Sequence, residues 1–400
     1  MFKRGNFEKV INKSPKIVKW CNRCLMSNQR PRISFDKNGI CSACNYFDYS
    51  QTIDWSKRKS ELLKLLDTHR SSDGSWDVVV PSSGGKDSAY VAHKLKYEYG
   101  MNPVLVTWSP MQYTDIGLKN FNALNDVGGF TCIKASPNGL LQKKLARLCF
   151  EEMGDAFHVF VLGQCFYPTH IALALKIPLI FYGENGEPEY AGDPATVDKP
   201  YLDLIKNAAW WKDYLKGTNL NTLIDYADKN KKYFSKNNYS LSDLNFFNPP
   251  SKKIMVKENI SRHYYFSYFE KWHPQENFYY AVENTGFTPN PERNEGTYSK
   301  YASLDDKMDG FHYYLRYIKF GLGRCSEDAS HEIREGHITR EEGLSLMEKY
   351  EGEFPNKYFS DFLTYLDINQ NDFWEIVDSW RPEHLWEKKG NSWNLKFPPK

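Results

Sequence analysis

Asp77-Val78-Val79-Val80-Pro81-Ser82-Ser83-Gly84-Gly85-Lys86-Asp87-Ser88-Ala89-Tyr90 decides how this chain folds. An apolar run of strand length meets a Ser/Gly-rich turn, and a helical pattern begins directly after it. That order aims backbone N–H groups and the positive end of a helix at one place, which stabilises a bound phosphate. Gly84 and Gly85 let the backbone approach a ligand closely, Ser83 and Ser88 supply hydroxyls, and Lys86 supplies a point charge. The turn is not a Walker A loop, because Val80 stands where that pattern has its first Gly and Asp87 where it has Ser or Thr.

Working outward, strand and helix patterns alternate. Asp77 to Val80 reads as extended, Asp87 to Tyr99 as helical, Pro103 to Trp108 as extended, Asp115 to Val127 as helical and Phe130 to Ala135 as extended. This βαβαβ order predicts an α/β fold with a parallel sheet covered on both faces. Leu141, Leu145 and Leu148 continue at helical spacing, and Ile177 to Tyr182 reads as a buried strand ending in Gly183-Glu184-Asn185. Ligands of such sheets bind at the carboxyl ends of the strands, where both Ser83–Ser88 and Gly183–Asn185 fall. Upstream, Trp55 to His69 reads as a helix with Leu62, Leu63 and Leu66 on one face.

Further upstream stand Cys21-Asn22-Arg23-Cys24 and Cys41-Ser42-Ala43-Cys44. Four thiolates at this C-x2-C-x16-C-x2-C spacing suit tetrahedral Zn2+, and a closed all-thiolate site is structural; redox or sulfur-transfer work is the other use of such pairs. Cys132, Cys149, Cys165 and Cys325 are scattered inside apolar patterns, as small buried hydrophobes would be.

Lys plus Arg number 52 against 50 for Asp plus Glu, so no global field recruits nucleic acid or an anionic membrane. The first residues have no apolar core of a signal peptide, and no stretch reads as the roughly 18 apolar residues needed to span a bilayer. The expectation is a cytoplasmic protein with neither membrane nor nucleic-acid partners. Four regions are expected: a zinc-ribbon-like module at 1–50, the nucleotide domain at 51–199, an insertion or cover segment at 200–285, and a mainly helical substrate-site region at 286–400. The third is rich in Asn, Lys, Tyr and Asp, with Lys229-Asn230-Lys231-Lys232 and Asn248-Pro249-Pro250 as breakers. In the fourth, Thr339-Arg340-Glu341-Glu342 is a capping box.

Ser83 to Ser88 resemble the SGGxDS signature of the PP-loop ATP pyrophosphatases, whose fold is an adenine-nucleotide α-hydrolase-like (HUP-type) parallel sheet. The resemblance implies cleavage of ATP to AMP and pyrophosphate. It further implies that this loop holds the departing pyrophosphate, that Asp87 helps to place Mg2+, and that Thr107 and Trp108 lie near the nucleoside. Mg2+ and Lys86 would offset the charge developing on pyrophosphate. Pro81-Ser82 ahead of the loop departs from the family pattern without removing a donor.

Over nearly its whole length the chain resembles the N-acetyl sugar amidotransferases, the WbpG-like and PseA-like enzymes of lipopolysaccharide and flagellin sugar synthesis. The likeness is carried by the cysteine quartet with Phe35-Asp36 and Gly39, by Tyr113-Thr114-Asp115-Ile116-Gly117, by Pro178 to Asn185, and by Tyr298 to Gly310. It continues through Phe320-Gly321-Leu322-Gly323-Arg324, Glu332-Ile333-Arg334, Gly336 to Gly343 and Trp386. It implies conversion of an acetamido group, on a nucleotide-activated or acidic sugar, into an acetamidino group through an adenylated intermediate. Ammonia would come from a separate glutaminase, with or without a cyclase-like channel subunit, since the chain has no glutaminase constellation of its own.

On this reading Lys86 and Asp87 are catalytic, Glu184 or Asp306 is a magnesium ligand or proton acceptor, and Asn185 orients the acetamido oxygen. Arg316, Arg324, Arg334 and Arg340 are candidates for a sugar carboxylate or nucleotide phosphate, although each also fits a solvated helix face. Tyr113 and Asp115 end a strand-to-helix loop, where substrate contact and helix capping are both open to Asp115. The alternative is a PP-loop tRNA thiolase, which also places CxxC pairs ahead of this loop. Near-neutral charge and the lack of a CxxC after the loop disfavour it.

Overall fold

The computed structural model describes all residues except Met1, Asn6, Lys231, 233–238 and Asn391, so part of the predicted breaker run and cover segment lies outside the described residues. Strands β1 (Val78–Pro81), β2 (Pro103–Trp108) and β3 (Thr131–Ala135) pair in parallel, with Val79 opposite Val104 and Val106 opposite Ile133. Val78, Val79 and Val80 are all buried, as expected for a strand covered on both faces.

The free edge of β1 takes the segment leading into β4 (Phe181–Tyr182): Val79 N–H donates to Leu179 O at 2.9 Å, and Val79 bridges Ile180 in parallel. The predicted six-residue strand shrinks to these contacts because Pro178 has no N–H to give a ladder. Two further strands, β5 (Tyr201–Asp203) and β6 (Arg262–Tyr265), extend this edge, β6 parallel to β4 and β5 antiparallel to β6. The spatial order is therefore β3-β2-β1-β4-β6-β5, and the direction of winding reverses between β1 and β4. A crevice at such a switch point is the ligand site of open α/β sheets.

Residues 200–285 differ from a cover: they supply β5 and β6 to the sheet, and the helix Pro274–Thr285 packs on the helix Lys86–His93 that follows the loop. His93 Nδ1 meets the Tyr280 hydroxyl at 2.8 Å across this contact. Polar composition hid these elements because strands of three and four residues are held by long-range pairing rather than by local pattern. The predicted helix 87–99 is α-helical only over Lys86–His93 and then widens into a π turn at Lys94–Glu98.

One helix does reach the length and apolarity of a membrane span, His158–Leu175, contrary to expectation. It lies against β1 and β2 within the core, with Phe160, Phe166 and Tyr167 buried. The C-terminal region is helical, with Asp309–Phe320, Arg324–Glu335, Arg340–Tyr350, Phe359–Leu366 and Gln370–Ser379, and closes in the hairpin β7 (Trp386–Lys389) and β8 (Ser392–Leu395). The Thr339/Glu342 capping box forms as predicted. Phe311, Phe362 and Phe373 from these helices share one hydrophobic core with Val79 and Val106 of the sheet and Phe150 of the helix Gly139–Met153.

Candidate active site

The turn after β1 is knitted from below. Thr107 Oγ1 donates to Ser82 O at 2.6 Å, Ser82 N–H donates to Val106 O at 3.0 Å, and the Ser82 and Ser88 hydroxyls meet at 2.8 Å. Gly84 has φ +98°, and a Cβ there would stand 2.8 Å from Phe121 N, so both conformation and space demand glycine. Helix Lys86–His93 starts at Gly85 with no capping side chain among the described residues, which leaves its first-turn N–H groups without intrahelical acceptors. Open donors, a glycine approach and Lys86 fit a phosphate. Lys86 Nζ lies 2.6 and 2.7 Å from the two Asp87 oxygens.

Three cavities meet at Asp87. A cavity of about 260 Å³ lies over the ends of β1, β2 and β4, bordered by Ser83, Gly85, Trp108, Tyr182 and Glu184. A second of about 180 Å³ separates the loop from the C-terminal region, bordered by Lys86, Tyr298, Asp305, Arg324 and His331. The third, about 570 Å³, opens on the far side of Glu184 toward Arg316, Arg324 and His312.

Burial first and Asp87 second push the Glu184 carboxyl up to about 7, against the opposing pull of Lys86 and Arg324. Burial, then Asp309, raises Asp305 to about 6, and the Ser83 hydroxyl pulls the other way. Asp87 and Glu184 crowd each other where the cavities meet, and a carboxylate pair of this kind suits a hard divalent cation such as Mg2+, whereas Asp305 borders only the loop-side cavity beside Asp87.

The expected residues divide. Ser83 to Ser88, Trp108, Glu184, Arg316 and Arg324 all border this junction. Thr107 is fully buried and braces the loop from beneath instead of facing a nucleoside. Asp306 is turned away: its carboxylate accepts Met111 N–H at 2.5 Å, Met308 N–H at 2.9 Å and Gln112 N–H at 3.3 Å, so it ties chain segments together. Tyr113 and Asp306 form an antiparallel bridge, and the alternation of extended backbone sends Asp305 to the site instead. Asn185 borders the large cavity, but its side chain caps a turn, accepting Glu187 N–H and donating to Thr196 O, each at 3.3 Å.

Arg316 is held by Glu327 at 2.8 Å and Arg324 by Asp328 at 3.0 Å and by the Tyr313 hydroxyl, with both guanidinium groups still at the cavity. Arg334 points elsewhere, donating to Glu189 O at 2.9 Å beside Cys24, Cys41 and Cys44. Arg340 bonds Lys400 O at 2.6 Å on the surface. Tyr113 packs on Phe121, and exposed Asp115 is only the first helical residue; Thr114 is the cap, accepting Gly117 N–H at 2.9 Å.

Several residues at the junction are not among the expected site residues. Asp305 is one; others are His312 and Asp155 in the large cavity and Arg30 and Arg32 from the cysteine module. Arg30 pairs with Glu327 and Arg32 with Glu187, each at 2.6 Å. The available signal was the stripe His312, Tyr313, Arg316, Lys319 and Phe320, whose helical spacing puts polar residues on a buried face.

The four cysteines of the module are buried with their Sγ atoms all within 4.8 Å of one another. Cys24 to Cys41 is 3.6 Å and Cys21 to Cys44 is 3.9 Å, which bracket the edge of about 3.8 Å that a tetrahedron with Zn–S near 2.3 Å requires. Backbone N–H groups of Arg23, Cys24 and Cys41 point at Cys21 Sγ at 3.3 to 3.5 Å, and Arg334 supplies nearby positive charge. This donor set fits a closed, structural Zn2+. Burial raises Cys132 to about 11 and Cys149 and Cys165 to about 12, so these three remain unreactive thiols at neutral pH.

Residues 295–397 match a family model described as LPS biosynthesis protein WbpG-like, C-terminal domain. No curated protein matches the chain. The matched stretch contains Asp305, His312, Arg316, Arg324 and His331, while the Ser83–Ser88 loop, Glu184 and the cysteines lie outside it.

Proposed function

We propose that this protein is an ATP-dependent amidotransferase of surface-sugar biosynthesis that converts a sugar acetamido group into an acetamidino group. The observation that carries the reading is the junction at Asp87, where an uncapped helix N-terminus and two carboxylates separate a cavity at the sheet switch point from a larger polar cavity. The WbpG-like match of the C-terminal region, which forms much of the larger cavity, supports a place in lipopolysaccharide sugar synthesis.

The cavity at the switch point takes ATP. Lys86 and the open N–H groups of Gly85 to Ser88 hold the departing pyrophosphate, and Lys86 leaves its ion pair with Asp87 to do so. Asp87 and Glu184 would hold Mg2+, which would supply positive charge against the developing pyrophosphate. The acetamido oxygen attacks the α-phosphorus from the larger cavity, pyrophosphate departs, and ammonia from a separate glutaminase then displaces AMP from the acetimidate carbon. A cyclase-like channel subunit is compatible with this supply. Arg324, which borders both the loop-side and the larger cavity, is placed to bind the anionic part of the acceptor.

The test uses purified protein, ATP, Mg2+ and ammonium with a panel of UDP- and CMP-linked acetamido sugars, including acidic ones. The expected products are AMP, pyrophosphate and a sugar lighter by about one mass unit, from O replaced by NH. Absence of AMP across the whole panel would refute the proposal.

A further inference from the structure

We infer that the large cavity is where the acetimidate meets ammonia, and that His312, clamped by the buried carboxylate of Asp155, accepts the proton of the incoming amine; this rests on the amidotransferase reading above. The two residues come from opposite halves of the chain, 157 positions apart, yet His312 Nδ1 lies 3.0 and 3.1 Å from the two Asp155 oxygens. The Asp155 side chain is 3% exposed, and that of His312 is 26% exposed at the cavity wall.

Burial works against charge on Asp155, but His312, Lys216 and Lys319 together outweigh it and hold the carboxyl well below its usual range. An ionised carboxylate only accepts hydrogen bonds, so the shared hydrogen sits on Nδ1, and Nε2 is the nitrogen left to exchange a proton with the cavity. A base whose tautomer is set by a buried third group is the arrangement that proton-transfer catalysis requires. Phe157 and Tyr313 flank the ring at centroid distances of 5.6 and 5.2 Å and fix its plane.

The position also suits the second half of the reaction. Tyr313, beside His312, carries Arg324 on its ring at 4.7 Å, and Arg324 borders the loop cavity that contains Lys86 and Asp87. Glu184 faces Asp87 and Lys86 and so belongs to the cation side of the junction. His312 borders the same large cavity but is held by Asp155, not by the Asp87–Lys86 cluster. In the step assigned to it, ammonia forms a C–N bond to the acetimidate carbon, His312 Nε2 takes one proton from the nitrogen, and the C–O bond to AMP breaks with its electron pair leaving on phosphate. The products are the amidine, AMP and an imidazolium that returns its proton to solvent.

His312→Asn keeps a donor for Asp155 in place of Nδ1–H and removes the base; His312→Ala removes both. With the panel sugar that the wild type converts, His312→Asn is expected to lose about 10²-fold or more in kcat with ammonium, the range for a general base. With hydroxylamine, which gives the N-hydroxyamidine and whose adduct nitrogen is acidic enough to lose its proton to water without an enzymic base, the loss should stay within about threefold. Binding of that sugar nucleotide, followed by calorimetry, should be unchanged. Full activity of His312→Asn with ammonium, or equal losses with both nucleophiles, overturns the assignment while leaving the amidotransferase reading intact. No amidine from the wild type with either nucleophile overturns both.

Discussion

Gly117 lies inside the helix Asp115–Asp126, where replacing glycine with alanine ordinarily stabilises by about 1 kcal/mol. Here the opposite is expected. A Cβ on Gly117 would stand 2.5 Å from Asp305 Cα, 2.8 Å from Asp305 O and 2.9 Å from Leu304 O, all of them backbone atoms that cannot rotate aside. Carbon atoms rest at about 3.5 Å or more, so the 304–305 segment must retreat by about 1 Å. Overpacking of this kind costs about 1–3 kcal/mol, which exceeds or cancels the propensity gain. The same retreat carries the Asp305 carboxylate away from the loop cavity, and an error of about 1 Å in a reacting constellation costs up to about 10²-fold in rate. Gly139 is the control: it too sits in a helix, nothing lies within 4 Å of its Cβ position, and Gly139→Ala should raise the melting temperature. Thermal melts of both variants, with AMP release as the second readout, decide the matter. If Gly117→Ala is as stabilising as Gly139→Ala and retains full AMP release, the close approach of residues 304–305 to this helix is not what holds Asp305 in place.

Asp305→Asn and Asp306→Asn should separate function from stability: the first cuts AMP formation by about 10²-fold with little change in melting, while the second keeps the oxygen that accepts from Met308 and Gln112 but sets an NH2 against the buried Met111 N–H, and destabilises by about 1–3 kcal/mol. Purified protein is expected to carry one zinc per chain by elemental analysis, and Cys24→Ser to lose it together with thermal stability. Glu184 has its folded-state pKa raised to about 7, chiefly by burial and next by Asp87, so the fold favours its neutral form. Its contribution to stability is therefore present at acid pH and is lost as pH rises from its ordinary carboxylate range through 7. Glu184→Gln should melt higher than wild type at pH 8 without Mg2+, and the difference should vanish below pH 4; a constant difference across that range would refute the burial argument.

What could be read from sequence was local. The apolar run before Ser83, the two glycines and the cysteine spacing each carry their meaning within a few residues, and each stands where expected. Choosing Asp306 over Asp305 failed because adjacent carboxylates differ only in which way a bridge to Tyr113 turns them, and that bridge joins positions nearly half the chain apart. Arg316, Arg324 and Arg334 look alike on amphipathic helices, yet the first two reach the cavity and the third serves the cysteine cluster, because each helix presents different faces to different neighbours. The polar stripe that begins at His312 could be read from helical spacing, but its pairing with Asp155 could not, since the two residues lie 157 positions apart and only packing brings them together.

Arg30 and Arg32 reach the large cavity from the cysteine module, Trp211 and Lys216 from the stretch after β5, and His312 to Glu327 from the C-terminal helices. No contiguous piece of chain owns that chamber. Glu187, which pairs with Arg32, comes from yet another stretch, so a chimera that exchanges one region for a homologue's leaves Glu327 or Glu187 facing an arginine it did not evolve with, and acceptor preference should transfer between related proteins only when all of these segments move as a set.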